Sequence, residues 1–384
     1  MKKRRRILSF LLALTLFFGL SGCQESRVPN GGKNKIERYF RSCMDDRGFS
    51  GAVYAVYCGE TVFDGGAGMA TESLKNGSEV AYGVASVTKQ FTAAAILQLY
   101  EQGRLDLSDP IGKFFPGYRY GKAITVRHLL CQRSGIPDYM VDMDMTGKQV
   151  IISVIEGGTA YAVVDVKNTA EENQKIIRDF FLSRELLFEP GAEFDYSDSN
   201  YALLAEIVSQ VSGLRYHEYV RQHIFEPLGM AHSAFIDDFD RQQLAAVAQT
   251  DRDEFAIDYY TVKGAEYGCG DILTTPRDLY RWYRGLMDGK VIGEVSYQLM
   301  TTNYSAPSEL GYGFGQMISD RGDSKAVYHY GYIPSYYSAV IYVPAHDLFL
   351  TVLSNHGDGD PHKLASDLAV YFGSVIGVTL VDIE

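Results

Sequence analysis

Strand-forming patterns lie at both ends of this chain with a long helical stretch between them, and that order restricts the fold more than any other feature. Near the start, Ser50 to Tyr57 and Thr61 to Gly66 are rich in Val, Tyr and Phe and are joined by Cys58-Gly59-Glu60, the pattern of a hairpin. Strand patterns return at 313–319, 326–330, 337–343 and 348–354, with Pro344-Ala345-His346-Asp347 turning the chain between the last two. From Ser86 to about residue 300 the apolar spacing is helical instead, with windows at 126–131, 172–188, 200–212, 216–224 and 277–287. An amphipathic segment at 35–46 opens this pattern and a helix near 362–372 closes it. Strands from both termini predict one antiparallel sheet flanked by helices, an α+β chain of α/β/α sandwich type with a mostly helical insertion. The expected division is a sheet region at 36–85 and 300–384 and a helical region at 86–299, with a site in the cleft between them.

The first residues carry a different signal. Lys2, Lys3, Arg4, Arg5 and Arg6 precede an apolar run from Ile7 to Leu20, which is too short to span a bilayer as a stable helix. A charged stretch followed by such a run reads as a secretory signal, and Leu20-Ser21-Gly22-Cys23 looks like a bacterial lipobox in which Cys23 becomes a lipid-modified N-terminus. Residues 24–35 then form a polar tether. The expectation is an exported lipoprotein held at the extracytoplasmic face of a bacterial membrane.

Charge excludes one class of partner. The formal net charge is −12, and setting aside the five N-terminal cations of 36 leaves 31 basic against 48 acidic residues, a balance of −17. Nucleic-acid binding needs basic patches, and no basic run exists beyond the N-terminus. Tyrosine is abundant at 28 residues, which suits cleft walls that are partly apolar and partly hydrogen-bonding. Cys43, Cys58, Cys131 and Cys269 have no metal-ligand spacing, and three disulfide pairings among them are open, but a chain large enough to hold its own core favours buried free thiols.

The chemistry centres on Ala85-Ser86-Val87-Thr88-Lys89. Ser and Lys three residues apart on a helix share a face. Burial of that face disfavours an ammonium, so Lys89 becomes a candidate acceptor for the Ser86 proton. The Ser86 backbone N–H also lies at the positive end of the helix, where it can help stabilise an oxyanion. Two further stretches supply polar groups. Tyr196-Ser197-Asp198 sits at a loop-to-helix junction, a place from which a phenol can act as acid or base. His329-Tyr330-Gly331 lies on a strand, where the imidazole can meet a substrate oxygen and the glycine permits close approach of a ligand.

Together these motifs resemble the β-lactamase-related serine hydrolases, the family of class C β-lactamases, certain D,D-peptidases and several esterases. The resemblance runs from about Phe40 to Phe372 through ASVTKQFTAAAILQL, ITVRHLLCQRSGIPDY, FEPGAEFDYSDSNYALL, IFEPLGM, YGCGDILTTPRDL and HYG. It implies a β-lactamase/transpeptidase-like fold and a covalent acyl-enzyme without metal or cofactor. In it Ser86 is the nucleophile, Lys89 its proton partner and Tyr196 the group that moves protons to the leaving group and activates water. The backbone N–H groups of Ser86 and Tyr332 match the oxyanion hole, and His329, Gly331 and Asp198 take substrate-binding positions.

Two positions depart from the family pattern. Asp198 stands where many members have asparagine, and an ionised carboxylate only accepts hydrogen bonds. Asp198 can instead pair with Lys89, raise its pKa and shift the role of base to the tyrosine. His329 stands where class C lactamases have lysine, which removes a fixed cation for a substrate carboxylate. Both changes point away from an efficient antibiotic-degrading enzyme and toward D,D-peptidases and esterases. His217-Glu218-Tyr219-Val220-Arg221 lacks the second histidine of a zinc-protease helix, and no G-x-S-x-G elbow occurs. The expected function is therefore an exported serine hydrolase acting on a small-molecule or short-peptide amide or ester, of D-alanyl peptide type first. A carboxylesterase, a weak β-lactamase and a non-turnover penicillin-binding or wall-peptide sensor are the alternatives.

Overall fold

Period-two alternation sorts the strand residues between two cores, and the sorting sets which face of the sheet meets the site. The computed structural model describes residues 28–139, 143–146, 149–155, 159–165, 168–237, 263–321, 324–333, 336–380 and 383. The elements that frame the site are α1 (Gly32–Asp46), β1 (Gly51–Tyr57), β2 (Glu60–Ala67), α2 (Thr88–Glu101), α3 (Asp198–Ser212) and α4 (Pro276–Met287). They are followed by β3 (Met317–Ser319), β4 (Ala326–Ile333), β5 (Tyr336–Val343), β6 (Leu348–Ser354) and α5 (Pro361–Ile376). The strands form one six-stranded sheet in the order β2-β1-β6-β5-β4-β3, every neighbouring pair antiparallel.

The two ends of the chain meet in the middle of this sheet. β1 pairs with β6 from Gly51↔Ser354 to Tyr57↔Leu348, and all seven residues of β1 are buried because both faces are covered. Val53, Ala55 and Tyr57 join Tyr328, Ile341 and Leu350 in the core under α1 and α5. Ala52, Tyr54 and Val56 join Val327, Val340 and Phe349 in the larger core around α2. A one-residue slip would exchange these faces, so burial on both sides fixes the register. Phe40 of α1 packs edge-on against Phe63 and Phe372, and truncating such a ring costs about 3–5 kcal/mol.

The α+β sandwich expected from the sequence is the fold observed, and the hairpin, the closing helix and the last strands lie close to their expected places. Three differences have physical reasons. The insertion is not wholly helix and loop: Met143–Thr146, Gln149–Ile155 and Thr159–Asp165 form a three-stranded antiparallel sheet. Its sequence is β-branched on either side of Glu156-Gly157-Gly158, a hairpin signal that the neighbouring helical windows obscured. The helix expected at 172–188 runs Ala170–Leu182, opened by a Thr169–Glu172 capping box. The strand expected at 313–319 is only Met317–Ser319, because the glycine-rich chain before it is wound against other backbone. A Cβ on Gly311 would lie 2.1 Å from the Ile318 carbonyl oxygen, and one on Gly313 would lie 2.3 Å from that of Met300.

Cys43, Cys131 and Cys269 are free thiols as expected, whereas Cys58 is disulfide-bonded. The leader, the lipobox and residues 24–27 of the tether fall outside the described residues. Among the described residues no helix is long and apolar enough to cross a membrane.

Candidate active site

Ser86 sits in a single 3-10 turn, Ala85–Val87, that runs directly into α2. Ala85 has φ of 46°, a left-handed conformation that costs a residue with a Cβ about 1–2 kcal/mol. Neighbours hold the turn in this shape. Ser338 Oγ of β5 donates to the Val84 carbonyl at 2.7 Å, and β4 lies against the turn at Gly331. A Cβ on Gly331 would stand 2.4 Å from the Val84 oxygen and 3.0 Å from the Ala85 Cβ. The sequence reading gave this glycine to an approaching ligand. In the structure the space it leaves is filled by the turn that carries Ser86.

Lys89 is the second residue of α2 and is fully buried. Its Nζ donates to Ser86 Oγ at 3.0 Å, to the Cys269 carbonyl at 3.0 Å and to Asp198 Oδ1 in a close ion pair. An ammonium has three protons, and here each has an acceptor. Burial is the largest influence and works against the charged form, but the Asp198 carboxylate together with Tyr196, Cys269 and Tyr312 holds Lys89 well above the usual lysine range. Of the two sequence-level options for Lys89, a free amine made by burial or an ammonium held by Asp198, the geometry matches the second.

Asp198 reaches Lys89 because it opens α3, where its backbone N–H donates to Asp138 Oδ1 at 3.1 Å. Two residues earlier, Tyr196 lies over Lys89 with its ring centroid 4.8 Å from Nζ. The Tyr196 hydroxyl is buried and has no hydrogen-bond partner among the described residues. Burial pushes this phenol well above its ordinary pKa, and the Lys89 charge offsets only part of the effect. Gln132 anchors the segment: its carbonyl accepts the Asp195 N–H at 3.0 Å, and its Oε1 accepts Ser197 N–H at 3.2 Å and Asn200 Nδ2 at 2.6 Å.

His329 lies on the sheet face toward Tyr196, their ring centroids 6.2 Å apart. It is fully buried. Nδ1 donates to the Tyr330 carbonyl at 2.6 Å, which leaves Nε2 to accept from Tyr312 Oη at 3.3 Å. Burial first, then the Lys89 charge, push its pKa down to about 3, so the ring is neutral near pH 7. Alternation turns the Tyr332 side chain to the opposite face, where its ring lies tilted beside that of Tyr337 with centroids 4.9 Å apart. Tyr332 therefore has only its backbone N–H to offer on the Ser86 side.

Ser86, Lys89, Tyr196, Asp198 and His329 thus converge at one place between α2, α3 and β4. Sequence reasoning missed Tyr312, whose ring stands 5.9 Å from that of Tyr196 in an edge-on arrangement. It also missed the Cys269 carbonyl as the third Lys89 acceptor. The signals were glycines: Gly311 and Gly313 bracket Tyr312, and Gly268 and Gly270 bracket Cys269. Each of the four sits where a Cβ would come within 2.4 Å of another atom. Beneath Cys269 lies the buried carboxyl of Glu266, which burial and then the Asp198 charge hold well above the usual carboxylate range.

Known proteins resemble this chain in sequence and in fold. Residues 36–371 match the family model described as Beta-lactamase. The chain is 33% identical over 294 residues to the putative penicillin-binding protein PbpX of Bacillus subtilis, covering 76% of this chain and 67% of that one. It is also similar to the octameric penicillin-binding protein homologue from Pyrococcus abyssi, with a TM-score of 0.68, 26% identity and coverage of 90% and 78% of the two chains. The D-amino acid amidase of Ochrobactrum anthropi SV3 shares the fold, with a TM-score of 0.71 at 23% identity over 90% of this chain and 99% of that one.

Proposed function

The chain belongs to the β-lactamase family, and from that premise we propose that it is an exported serine hydrolase that works through an acyl-enzyme on Ser86. The observation that carries this reading is the contact of Ser86 Oγ with Lys89 Nζ at 3.0 Å, with the unpartnered Tyr196 hydroxyl above the same ammonium. Ser86 Oγ attacks the substrate carbonyl, and its proton passes to Lys89 as Lys89 hands one of its own to Asp198. The backbone N–H groups of Ser86 and Tyr332 receive the oxyanion. Tyr196 protonates the departing amine or alkoxide and is reprotonated through Lys89, which returns Asp198 to its ionised form. Water then attacks the acyl ester by the reverse sequence.

The substrate class we favour is a D-alanyl-type amide or ester of small-molecule or short-peptide size. Similarity to a putative penicillin-binding protein supports it. The neutral His329 supports an alternative, an ester that lacks a free carboxylate, because no charged imidazole is there to hold one. A hydrolysis screen with D-alanyl peptides, D-amino-acid amides, short-chain esters and nitrocefin, run beside Ser86→Ala, decides between them. Turnover of D-alanyl substrates that is lost in Ser86→Ala is the expected result. Turnover of esters alone, or a penicillin adduct that persists without turnover, replaces this substrate assignment.

Export and anchoring are part of the same proposal. Cys23 is the one cysteine left to pair with the disulfide-bonded Cys58, so a lipid on Cys23 and that disulfide exclude each other. The proposal is the lipid, with the stretch from residue 24 to the start of α1 at Gly32, shorter than the expected 24–35, tethering the catalytic domain to the membrane face. Mass spectrometry of the N-terminal peptide from membranes tests it: a diacylglyceryl mass on Cys23 is expected, and a Cys23 sulfur held in a disulfide contradicts it.

A further inference from the structure

The loop that carries Tyr196 is fastened from outside the motifs. Arg133 spreads its guanidinium over three acceptors: Nη1 meets Glu309 Oε2 at 2.9 Å, Nη2 meets the Ala192 carbonyl at 3.0 Å, and Nε and Nη2 reach the Gly191 carbonyl at 3.3 and 3.2 Å. Glu309 uses both of its oxygens. Oε1 accepts the Phe194 N–H at 3.3 Å, while Oε2 accepts Arg133 and the Ala306 N–H at 2.6 Å. One carboxylate therefore joins the 191–196 segment, which ends on Tyr196, to the 303–312 segment, which ends on Tyr312. The rings at the two ends meet, Phe194 with Tyr312 at 5.7 Å and Tyr196 with Tyr312 at 5.9 Å between centroids. Tyr312 in turn donates to His329.

We infer that Glu309, braced by Arg133, is a positioning residue that sets Tyr196 against Ser86 and Lys89. The pair is only partly buried, with side-chain exposures of 15% and 23%, so charge alone gives it little weight in stability. Its importance lies in geometry. Beyond the Lys89 ammonium beside it, Tyr196 Oη has no close hydrogen-bond partner among the described residues, so the backbone on either side must fix where the hydroxyl points. Glu309 holds Phe194, two residues before Tyr196, and the Arg133 fork holds Gly191 and Ala192 behind it. An error of about 1 Å in such a group costs on the order of 100-fold in rate.

The inference rests on the hydrolase reading, and the experiment separates the two. Glu309→Ala, Glu309→Gln and Arg133→Ala are compared with Glu206→Ala, which breaks the similarly exposed Arg178–Glu206 pair between the Ala170–Leu182 helix and α3. All are assayed well below their melting temperatures on the best substrate of the screen. Glu309→Ala and Arg133→Ala are expected to lose about 10- to 100-fold in kcat with KM within about 2-fold. Glu309→Gln keeps an acceptor for the Phe194 N–H and is expected to recover to within about 5-fold of wild type. Glu206→Ala is expected to stay within about 2-fold. A Glu309→Ala loss no larger than that of Glu206→Ala, or a rise in KM at constant kcat, overturns the inference. Should wild type show no Ser86-dependent turnover, the hydrolase reading falls and amide exchange judges the brace. Faster exchange across 191–196 in Glu309→Ala then upholds it, and unchanged exchange overturns it.

Discussion

Lys89 and Asp198 form an ion pair at the head of α2 in which the lysine is fully buried and the aspartate 14% exposed. The ammonium is thereby shared among Asp198, Ser86 and the Cys269 carbonyl, each from a different segment of the chain. Removing one partner of such a pair leaves an uncompensated charge in a low-dielectric site, which costs about 3–5 kcal/mol. Asp198→Ala is therefore expected to lower the unfolding free energy by about 3 kcal/mol at pH 7, with Asp198→Asn less damaging. Because Lys89 has a raised pKa in the folded state, its contribution is complete below the unfolded lysine value of about 10.4. It is lost as pH rises through the folded value. Urea denaturation of wild type and variant at pH 7 and above pH 10 checks this, and equal stabilities at pH 7 contradict it.

Tyr196→Phe separates stability from activity. The hydroxyl is buried without a partner, so deleting it removes an unsatisfied polar group while keeping the ring over Lys89. The expected variant melts at the same temperature as wild type or higher, yet loses about 100- to 10,000-fold in kcat. Calorimetry and steady-state kinetics on one preparation decide the matter. Activity within 10-fold of wild type removes Tyr196 from the proton path.

Gly331→Ala tests the fit between β4 and the nucleophile turn. The added Cβ would fall 2.4 Å from the Val84 oxygen and from Ser338 Oγ, so the turn that carries Ser86 must shift. Overpacking of this kind costs about 1–3 kcal/mol. The expected outcome is a lower melting temperature together with a kcat loss that persists at temperatures where the variant is fully folded. A variant that loses stability alone would show that Ser86 tolerates the displacement.

His329 should leave its mark on acid stability. Its folded pKa of about 3 lies below the unfolded value of about 6.5, so the unfolded chain takes up the proton first. The stability tied to neutral His329 is whole above pH 6.5 and is lost as pH falls toward 3. Wild type should therefore weaken more steeply between pH 6.5 and 4 than His329→Asn, measured by the denaturant midpoint at each pH. Parallel curves would mean that the imidazole is free to protonate in the fold.

Much of the architecture was legible in the sequence because strands such as β1 and β6 divide their residues between two buried faces and helices such as α1 and α4 have a clear apolar spacing. Local pattern failed where tertiary contact decided the structure. The 143–165 sheet sits amid helical windows, and β3 is short because Gly311 and Gly313 are wound against the carbonyls of Ile318 and Met300. At the site, Ser86, Lys89, Tyr196 and Asp198 were readable because they fall in short motifs at helix starts. Their electrostatics were not. Whether Lys89 is an amine or an ammonium depends on a carboxylate 109 positions away, and Tyr312, in the loop before β3, meets His329 on β4. Gly331 was assigned to a ligand because a sequence shows that space is needed there without showing what fills it.

The most direct test of the account is covalent labelling with a fluorophosphonate probe, followed by intact mass and peptide mapping. Wild type is expected to gain one probe mass on the peptide containing Ser86, and Ser86→Ala, folded as judged by its melting temperature, is expected to gain none. Undiminished labelling of Ser86→Ala, or a wild-type adduct mapped to another residue, would contradict Ser86 as the nucleophile.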